Sequence, residues 1–181
     1  MTSSSPEISS PETEEPSRRD LVAAAVTVAA AASAAGSAQA QGSAQGSVDV
    51  RRSNPPGMSS PPAYSHVVEV NGPHRTVYLA GQTGADATGK VAEGFHGQAV
   101  QVFENIKTAL ASVGGSFDNV VRLTTYLTNM DANAAEYRTV RASYFPNRSM
   151  LPASTLLQVS RLANPAYLLE VEVTAVLPPR A

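Results

Sequence analysis

The segment PASTLLQVSRLANPAYLLEVEVTAV, residues Pro152 to Val176, decides the fold of this 181-residue chain. Its Val, Leu, Thr and Tyr content predicts two strands, and Asn164-Pro165 between them predicts a short turn. Side chains of the second strand alternate between two faces, and one of these faces is fully apolar. The residues of that apolar face are Leu169, Val171, Val173 and Ala175. We expect helices to cover it.

The opposite face of the same strand combines apolar ends with two carboxylates. Leu168 and Val176 stand at its ends, and Glu170 and Glu172 lie between them. A fully solvated face does not need the apolar ends, whereas a fully buried face does not tolerate two unpaired acids. The pattern therefore predicts a face that is only partly covered and that leaves a polar pocket around the acids.

The first forty residues have the pattern of an export signal. Residues 1–16 are mostly Ser, Pro, Glu and Thr, which predicts a disordered tail. Arg18-Arg19 then precedes an Ala/Val run that ends at Ala38-Gln39-Ala40, an arrangement that resembles a twin-arginine signal peptide. We expect residues 1–40 to direct export to the bacterial periplasm without leaving a stable membrane anchor, because the apolar run is short and rich in Ala. A disordered Ala-rich tail and a transmembrane anchor are the alternatives.

The next stretch, residues 41–62, contains Gly, Ser, Gln and Pro without apolar periodicity and predicts a flexible linker. The globular domain is then expected at residues 63–178. The chain has no Cys, which excludes disulfides and thiolate nucleophiles. Its net charge of −2 and the lack of a basic patch argue against nucleic acid as a partner. The three histidines, His66, His74 and His96, lack the spacing of metal ligands, so no metal site is predicted.

Within the domain the patterns predict the order strand, strand, helix, strand, helix, strand, strand. Residues 64–71 and 76–80 are expected to form a hairpin. Helices are predicted at residues 97–113 and 131–145. The second prediction rests on a stripe of apolar, aromatic and charged residues at helical spacing. The members of that stripe are Ala134, Tyr137, Val140, Arg141 and Tyr144. This order indicates an α+β fold with one mixed sheet and both helices on one face. Because the other face stays uncovered, we expect self-association in a closed ring.

Several segments of the domain together resemble the Rid family, the reactive-intermediate deaminases of the YjgF/UK114 group. These segments are Ala63-Tyr64-Ser65, Tyr78-Leu79-Ala80-Gly81-Gln82, residues 110–116, Thr125-Tyr126-Leu127-Thr128, and Pro152-Ala153 through Leu169-Glu170-Val171. The resemblance implies a chorismate-mutase-like (YjgF/L-PSP) fold and a homotrimer with three clefts between subunits. It also implies hydrolysis of small 2-imino or enamine acids to 2-oxo acids and ammonia, without a cofactor.

The resemblance also implies site residues. Tyr64 matches a cleft tyrosine, and Gly81 matches the glycine whose backbone faces the ligand. Glu170 matches the acid that positions or activates water. Such an acid is chemically sensible, since water attack on a C=N bond needs a group that accepts a proton and returns it to the leaving amine.

One departure from the family pattern concerns substrate binding. The deaminase signature Pro-Ala-Arg reads Pro152-Ala153-Ser154 here, so the arginine that holds the substrate carboxylate is replaced by Ser154. Losing such a contact costs about 2–5 kcal/mol of binding free energy. Our hypothesis is that Arg138 or Arg161 reaches the cleft and takes over the anion contact.

Three functional classes remain open. The first is a hydrolase of C=N bonds whose substrate preference is altered by Ser154. The second is a non-catalytic trimer that binds a small metabolite in the same clefts, and the third is a ribonuclease. The acidic net charge and the export signal argue against the third class. A structural role also stays open for Glu170 and Glu172, as partners of Arg122 or Arg161 at a subunit boundary.

Overall fold

The computed structural model describes residues 48–180. Its strands are β1 (Asp49–Ser53), β2 (Val67–Asn71), β3 (Arg75–Thr83), β4 (Val120–Leu127), β5 (Ala153–Gln158) and β6 (Leu169–Leu177). Its two long helices are α1 (Gly94–Ser112) and α2 (Met130–Tyr144). The tail and signal peptide predicted for residues 1–40 lie outside the described residues. In the part that is described, no helix is both long and apolar enough to cross a bilayer.

The main sheet is mixed and has the order β3-β6-β4-β5. Strand β6 is antiparallel to both β3 and β4, whereas β5 is parallel to β4. Helices α1 and α2 pack on one face of this sheet, as predicted. The predicted apolar face of β6 is confirmed, because Leu169, Val171 and Ala175 are fully buried and Val173 is nearly so.

Two of the predicted strand pairings are wrong. β2 pairs with β1 in a separate two-stranded sheet and not with β3. β5 and β6 do not pair with each other, because β6 lies between β3 and β4. The connection between them, residues 159–168, is longer than the two to five residues of a common hairpin loop. Alternation of apolar residues identifies a strand and its faces, but it does not identify the neighbouring strand.

The linker predicted for residues 41–62 is wrong at Asp49–Ser53, which form strand β1. Arg52 of this strand donates hydrogen bonds to the carbonyls of Asp118 and Val120, at 3.2 and 3.3 Å. The ordered unit therefore begins before residue 63. The strand DVRRS carries a single apolar residue, Val50, which is too little for a search based on apolar periodicity to detect.

The two helices place the residues that matter for the site. α1 buries a stripe made of Ala99, Val102, Phe103, Ile106 and Leu110. α2 begins after Asn129, whose side chain accepts a hydrogen bond from the Ala132 N–H and so caps the helix. α2 is tied to the sheet through the buried Tyr137 hydroxyl, which lies 2.6 Å from Thr125 Oγ1 on β4.

Candidate functional site

Three of the predicted site residues meet in one pocket of about 400 Å³ between α2 and β5. They are Tyr64, Arg138 and Ser154. The remaining lining residues are Ala63, Tyr137, Arg141, Thr155 and Leu156. The size is at the lower end of the range for small-molecule sites, and the lining mixes aromatic and aliphatic groups with a few polar ones, as such sites do.

Tyr64 reaches this pocket because the chain beside it is tied to the residues that precede β5. The Ser65 N–H donates to the Pro152 carbonyl at 3.1 Å, and the Ser65 hydroxyl donates to the Leu151 carbonyl at 2.8 Å. The Tyr64 ring also packs edge-on against His66, with 5.3 Å between ring centroids. These contacts hold Tyr64 next to the start of the strand that carries Ser154.

Two arginines of α2 line the same pocket, one turn apart. Arg138 is exposed, whereas Arg141 is 5% exposed. The guanidinium of Arg141 lies 5.0 Å from the centre of the Phe145 ring. Burial lowers the pKa of Arg141, and the nearby Tyr137 acts in the opposite direction.

Arg161, the other candidate for the anion contact, is exposed in the connection between β5 and β6 and does not line this pocket. The sequence analysis identified Arg141 only as a member of the α2 stripe and assigned it no role. The sequence feature that points to Arg141 is a charged guanidinium within the stripe of α2 that faces the core, where apolar residues are expected.

The other two predicted residues, Gly81 and Glu170, are in contact with each other. A Cβ atom built at Gly81 would overlap the Glu170 carboxylate, so only glycine fits at position 81 with the carboxylate in this place. Gly81 lies where the register between β3 and β6 shifts, between Leu79 and Gln82. This irregularity brings the β3 backbone close to the acid.

The two groups of residues lie on opposite faces of the sheet. Ser154 is in register with Leu123, which is fully buried under the helices. Glu170 is in register with Tyr126, which lies on the face without helices. Since paired residues of neighbouring strands point to the same side, the side chains of Ser154 and Glu170 leave one sheet in opposite directions.

The face without helices is polar around the two acids. The Tyr126 hydroxyl donates a hydrogen bond to Glu172 at 3.2 Å. Desolvation raises the pKa of Tyr126, and the carboxylates of Glu172 and Glu170 add to this effect. Within residues 48–180, neither acid takes part in an ion pair. The alternative pairing of Glu170 and Glu172 with Arg122 or Arg161 is thus absent from the single chain.

The strand that carries Glu170 is fixed at its start by a buried amide of α1. Gln98 is 3% exposed, and its Nε2 donates to the Ala166 carbonyl at 2.9 Å. Its Oε1 accepts a hydrogen bond from the Leu168 N–H, also at 2.9 Å. Gln98 therefore sets the position at which the chain enters β6, two residues before the acid.

Over the described residues there is no group of three or more His, Asp or Glu side chains that could hold a metal ion. The predicted site residues and Arg141 offer a carboxylate, hydroxyls and guanidinium groups.

Comparison with known proteins gives one consistent result. The family model described as Endoribonuclease L-PSP matches residues 57–177. A RutC family protein of Aquifex aeolicus is 35% identical over 114 residues, which cover 62% of this chain and 87% of the relative. The 2-iminobutanoate/2-iminopropanoate deaminase of Mus musculus is 33% identical over 118 residues, covering 64% of this chain and 82% of the mouse protein.

A solved structure agrees with these sequence relatives. The Rid protein YyfB from Yersinia pestis superposes with a TM-score of 0.63 at 34% identity, covering 71% of this chain and 98% of the YyfB chain. The fold, the matched family model and the relatives point to the same group, and we conclude that this chain belongs to the Rid (YjgF/L-PSP) family.

Proposed function

We propose that the protein is a cofactor-free imine deaminase that hydrolyses a C=N intermediate to a carbonyl compound and ammonia. The observation that carries the proposal is the contact between Glu170 and Gly81, which holds a carboxylate without an ion-pair partner on a sheet face that the helices leave open. Imine deaminases among the relatives of this chain support the same chemistry.

In the proposed reaction Glu170 is the catalytic acid and base. A water molecule attacks the imine carbon while one of its protons passes to the Glu170 carboxylate. Glu170 passes that proton to the imine nitrogen, which gives a carbinolamine. The carbinolamine hydroxyl then gives its proton, through Glu170, to the amino group as the C–N bond breaks, and ammonia and the carbonyl compound leave. The balance is one imine and one water giving one carbonyl compound and one ammonia, so the reaction needs no oxidant, metal or cofactor.

The complete site requires two copies of the chain in this proposal. Tyr64, Arg138 and Ser154 lie on the helix side of the sheet, while Gly81 and Glu170 belong to the other side. A homotrimer whose subunits pack through the open sheet faces would place the acid of one subunit beside the pocket of the next. The exposure of Tyr78 (79%) and Leu157 (43%) on that face supports this packing, because such groups gain from burial.

The test is turnover with imines generated in place from several amino acids, followed by release of the 2-oxo acid. We expect Glu170→Gln to lower the rate by at least about a hundredfold, since acid–base catalysis contributes that much or more. Glu172→Gln is the matched control, because Glu172 is on the same strand face and already engages Tyr126; its rate should stay within about threefold. Full activity of Glu170→Gln would refute the proposal.

A non-catalytic small-metabolite binder is the second candidate, and Ser154 is the observation that favours it. The serine removes the charge that the family signature places on this strand. This alternative predicts that small carboxylates raise the melting temperature of the trimer while no imine is turned over at a rate above the Glu170→Gln background.

We also propose that the protein reaches the periplasm by the twin-arginine route. The support is the basic pair Arg18-Arg19 followed by an Ala-rich apolar run and Ala38-Gln39-Ala40. Replacing both arginines by lysine should retain the full-length precursor in the cytoplasm, as seen by fractionation. Export that continues unchanged would overturn this assignment.

A further inference from the structure

Arg141 is a charged side chain in a buried place where two of its three guanidinium nitrogens lack a hydrogen-bonding partner among the described residues. It is 5% exposed, and its Nε and Nη2 atoms are buried without a partner anywhere in residues 48–180. A guanidinium stays charged in a protein, so it cannot adapt to burial by losing a proton as a lysine does. Leaving such a charge unpaired opposes folding, and native structures rarely keep one without a reason.

In the part of the chain that the structure describes, no compensating acid lines the cavities around Arg141. None of the residues that line the pocket of Tyr64 and Ser154 is an Asp or Glu. A second cavity of about 240 Å³ also borders Arg141, and it is lined by Arg138, Arg148 and mainly apolar groups, again without an acid. The one aromatic contact, with Phe145, packs against the guanidinium but accepts none of its N–H groups in a hydrogen bond.

The position of Arg141 relative to Ser154 indicates what the unpaired charge can bind. Both residues line the same pocket, Arg141 from α2 and Ser154 from β5. The strand position where the family resemblance implies an arginine carries Ser154, and a guanidinium lines the pocket from the helix instead. We infer that Arg141 is the anion-binding residue of this site and holds the carboxylate of the ligand in place of residue 154. This inference deepens the proposed function and rests on it for the identity of the substrate.

The other lining residues indicate which carboxylates fit. Tyr64, Tyr137 and Leu156 supply aromatic and aliphatic surface around the guanidinium. A ligand with a carboxylate at one end and an apolar chain of a few carbons at the other satisfies both parts of the pocket. The substrates of this chemical class are the 2-imino acids that derive from small apolar amino acids.

The experiment measures equilibrium binding of 2-oxobutanoate, the product form of such a substrate, to the mature trimer by calorimetry. The uncharged methyl ester of the same compound is the comparison ligand. Arg141→Met keeps the length and apolar character of the side chain and removes the charge. We expect it to weaken 2-oxobutanoate binding by about thirtyfold or more while affinity for the ester changes by less than about threefold.

Arg51→Met is the control, because Arg51 is an exposed arginine of β1 that lines neither of these two cavities. Its affinity for 2-oxobutanoate should stay within about threefold of the unmodified protein. A second readout is the melting temperature without ligand, which should stay unchanged or rise in Arg141→Met, since an unpaired buried charge is removed. If Arg141 had a purely structural role, Arg141→Met would instead lower the melting temperature and leave the affinity ratio of acid to ester unchanged. This result would overturn the inference.

A further variant covers the case in which Arg141→Met does not fold. Arg141→Lys keeps the charge but loses the planar fork, and should weaken 2-oxobutanoate binding by about tenfold. Wild-type affinity in Arg141→Lys would contradict the inference.

Turnover measured in parallel separates this inference from the proposed function. An unmodified protein that binds 2-oxobutanoate through Arg141 but hydrolyses no imine would refute the deaminase proposal and leave the anion site standing. An Arg141→Met variant with normal turnover and unchanged KM would refute the anion site alone.

Discussion

The carboxylate of Glu170 occupies the space that a side chain at Gly81 would need. The backbone at Gly81 does not have the positive φ that would by itself favour glycine. The glycine is therefore required by the acid across from it. The first prediction follows from this contact. In Gly81→Ala the new methyl group displaces the end of the Glu170 side chain, and imine hydrolysis should fall by at least about tenfold with little loss of stability, since a flexible side chain can move aside.

Gly97→Ala is the control for this substitution. Gly97 is in the first turn of α1, where a Cβ would meet the Ala92 Cβ at 3.5 Å, an ordinary contact. This variant should keep full activity and gain up to about 1 kcal/mol of stability, because alanine suits a helix better than glycine. Equal activity of Gly81→Ala and Gly97→Ala would show that the Glu170 position is not important for the reaction.

The buried amide of Gln98 gives a second prediction. Gln98→Ala leaves the Ala166 carbonyl and the Leu168 N–H without their partner. Each of the two unsatisfied groups costs about 1–3 kcal/mol, so the free energy of unfolding should fall by about 2–6 kcal/mol in urea titrations. Gln101→Ala, on an adjacent part of the same helix, loses only a contact to Asn105 and should change stability by less than about 1 kcal/mol.

The pair of hydroxyls on Thr125 and Tyr137 gives a third prediction, in the form of a double-mutant cycle. Thr125→Val or Tyr137→Phe alone leaves one buried hydroxyl without its partner and should lower the free energy of unfolding by about 1–3 kcal/mol. The double variant removes both polar groups and should be less destabilised than the sum of the two single variants. Simple additivity would show that the hydroxyls do not interact.

A fourth prediction concerns alkaline pH. Desolvation and the hydrogen bond to Glu104 raise the pKa of Tyr144 to about 12, from an ordinary value of about 10. The folded state keeps its proton where the unfolded state has lost it, so the contribution of Tyr144 to stability is complete below pH of about 10 and is lost as pH rises to about 12. The measurement is the urea midpoint between pH 8 and pH 12.

Tyr144→Phe is the comparison for the alkaline titration. It should lose less stability over this range than the unmodified protein, because the group whose pKa is shifted is gone. The ion pair of Lys107 with Glu104 is not altered by the substitution itself, so the difference between the two curves reports on the tyrosine. Parallel curves would contradict the shifted pKa.

The comparison of sequence with structure shows where local patterns are sufficient. The inward face of β6 was predicted correctly, because side-chain alternation within a strand is a local property. The neighbours of β2 and β5 were not, because a pairing joins distant parts of the chain and apolar alternation fits several partners equally well.

The candidate site also contains residues that the sequence predicts and residues that only the tertiary structure identifies. Tyr64 and Ser154 were found through the family resemblance, and the structure places them in one pocket. Arg141 was not found as a site residue, because its importance depends on the absence of an acid around it. The contact of Gly81 with Glu170 also depends on two strands that are far apart in the sequence.

The location of Glu170 on β6 has a consequence for how the site can be controlled. β6 is an inner strand of the main sheet, between β3 and β4, and Leu169 and Val171 next to the acid are fully buried. Backbone amides of such a strand exchange with solvent only when the whole sheet opens, so fraying near the chain ends leaves the acid in place. In the proposed trimer, cellular control of this centre would therefore act on access between neighbouring subunits, and heat inactivation should coincide with global melting.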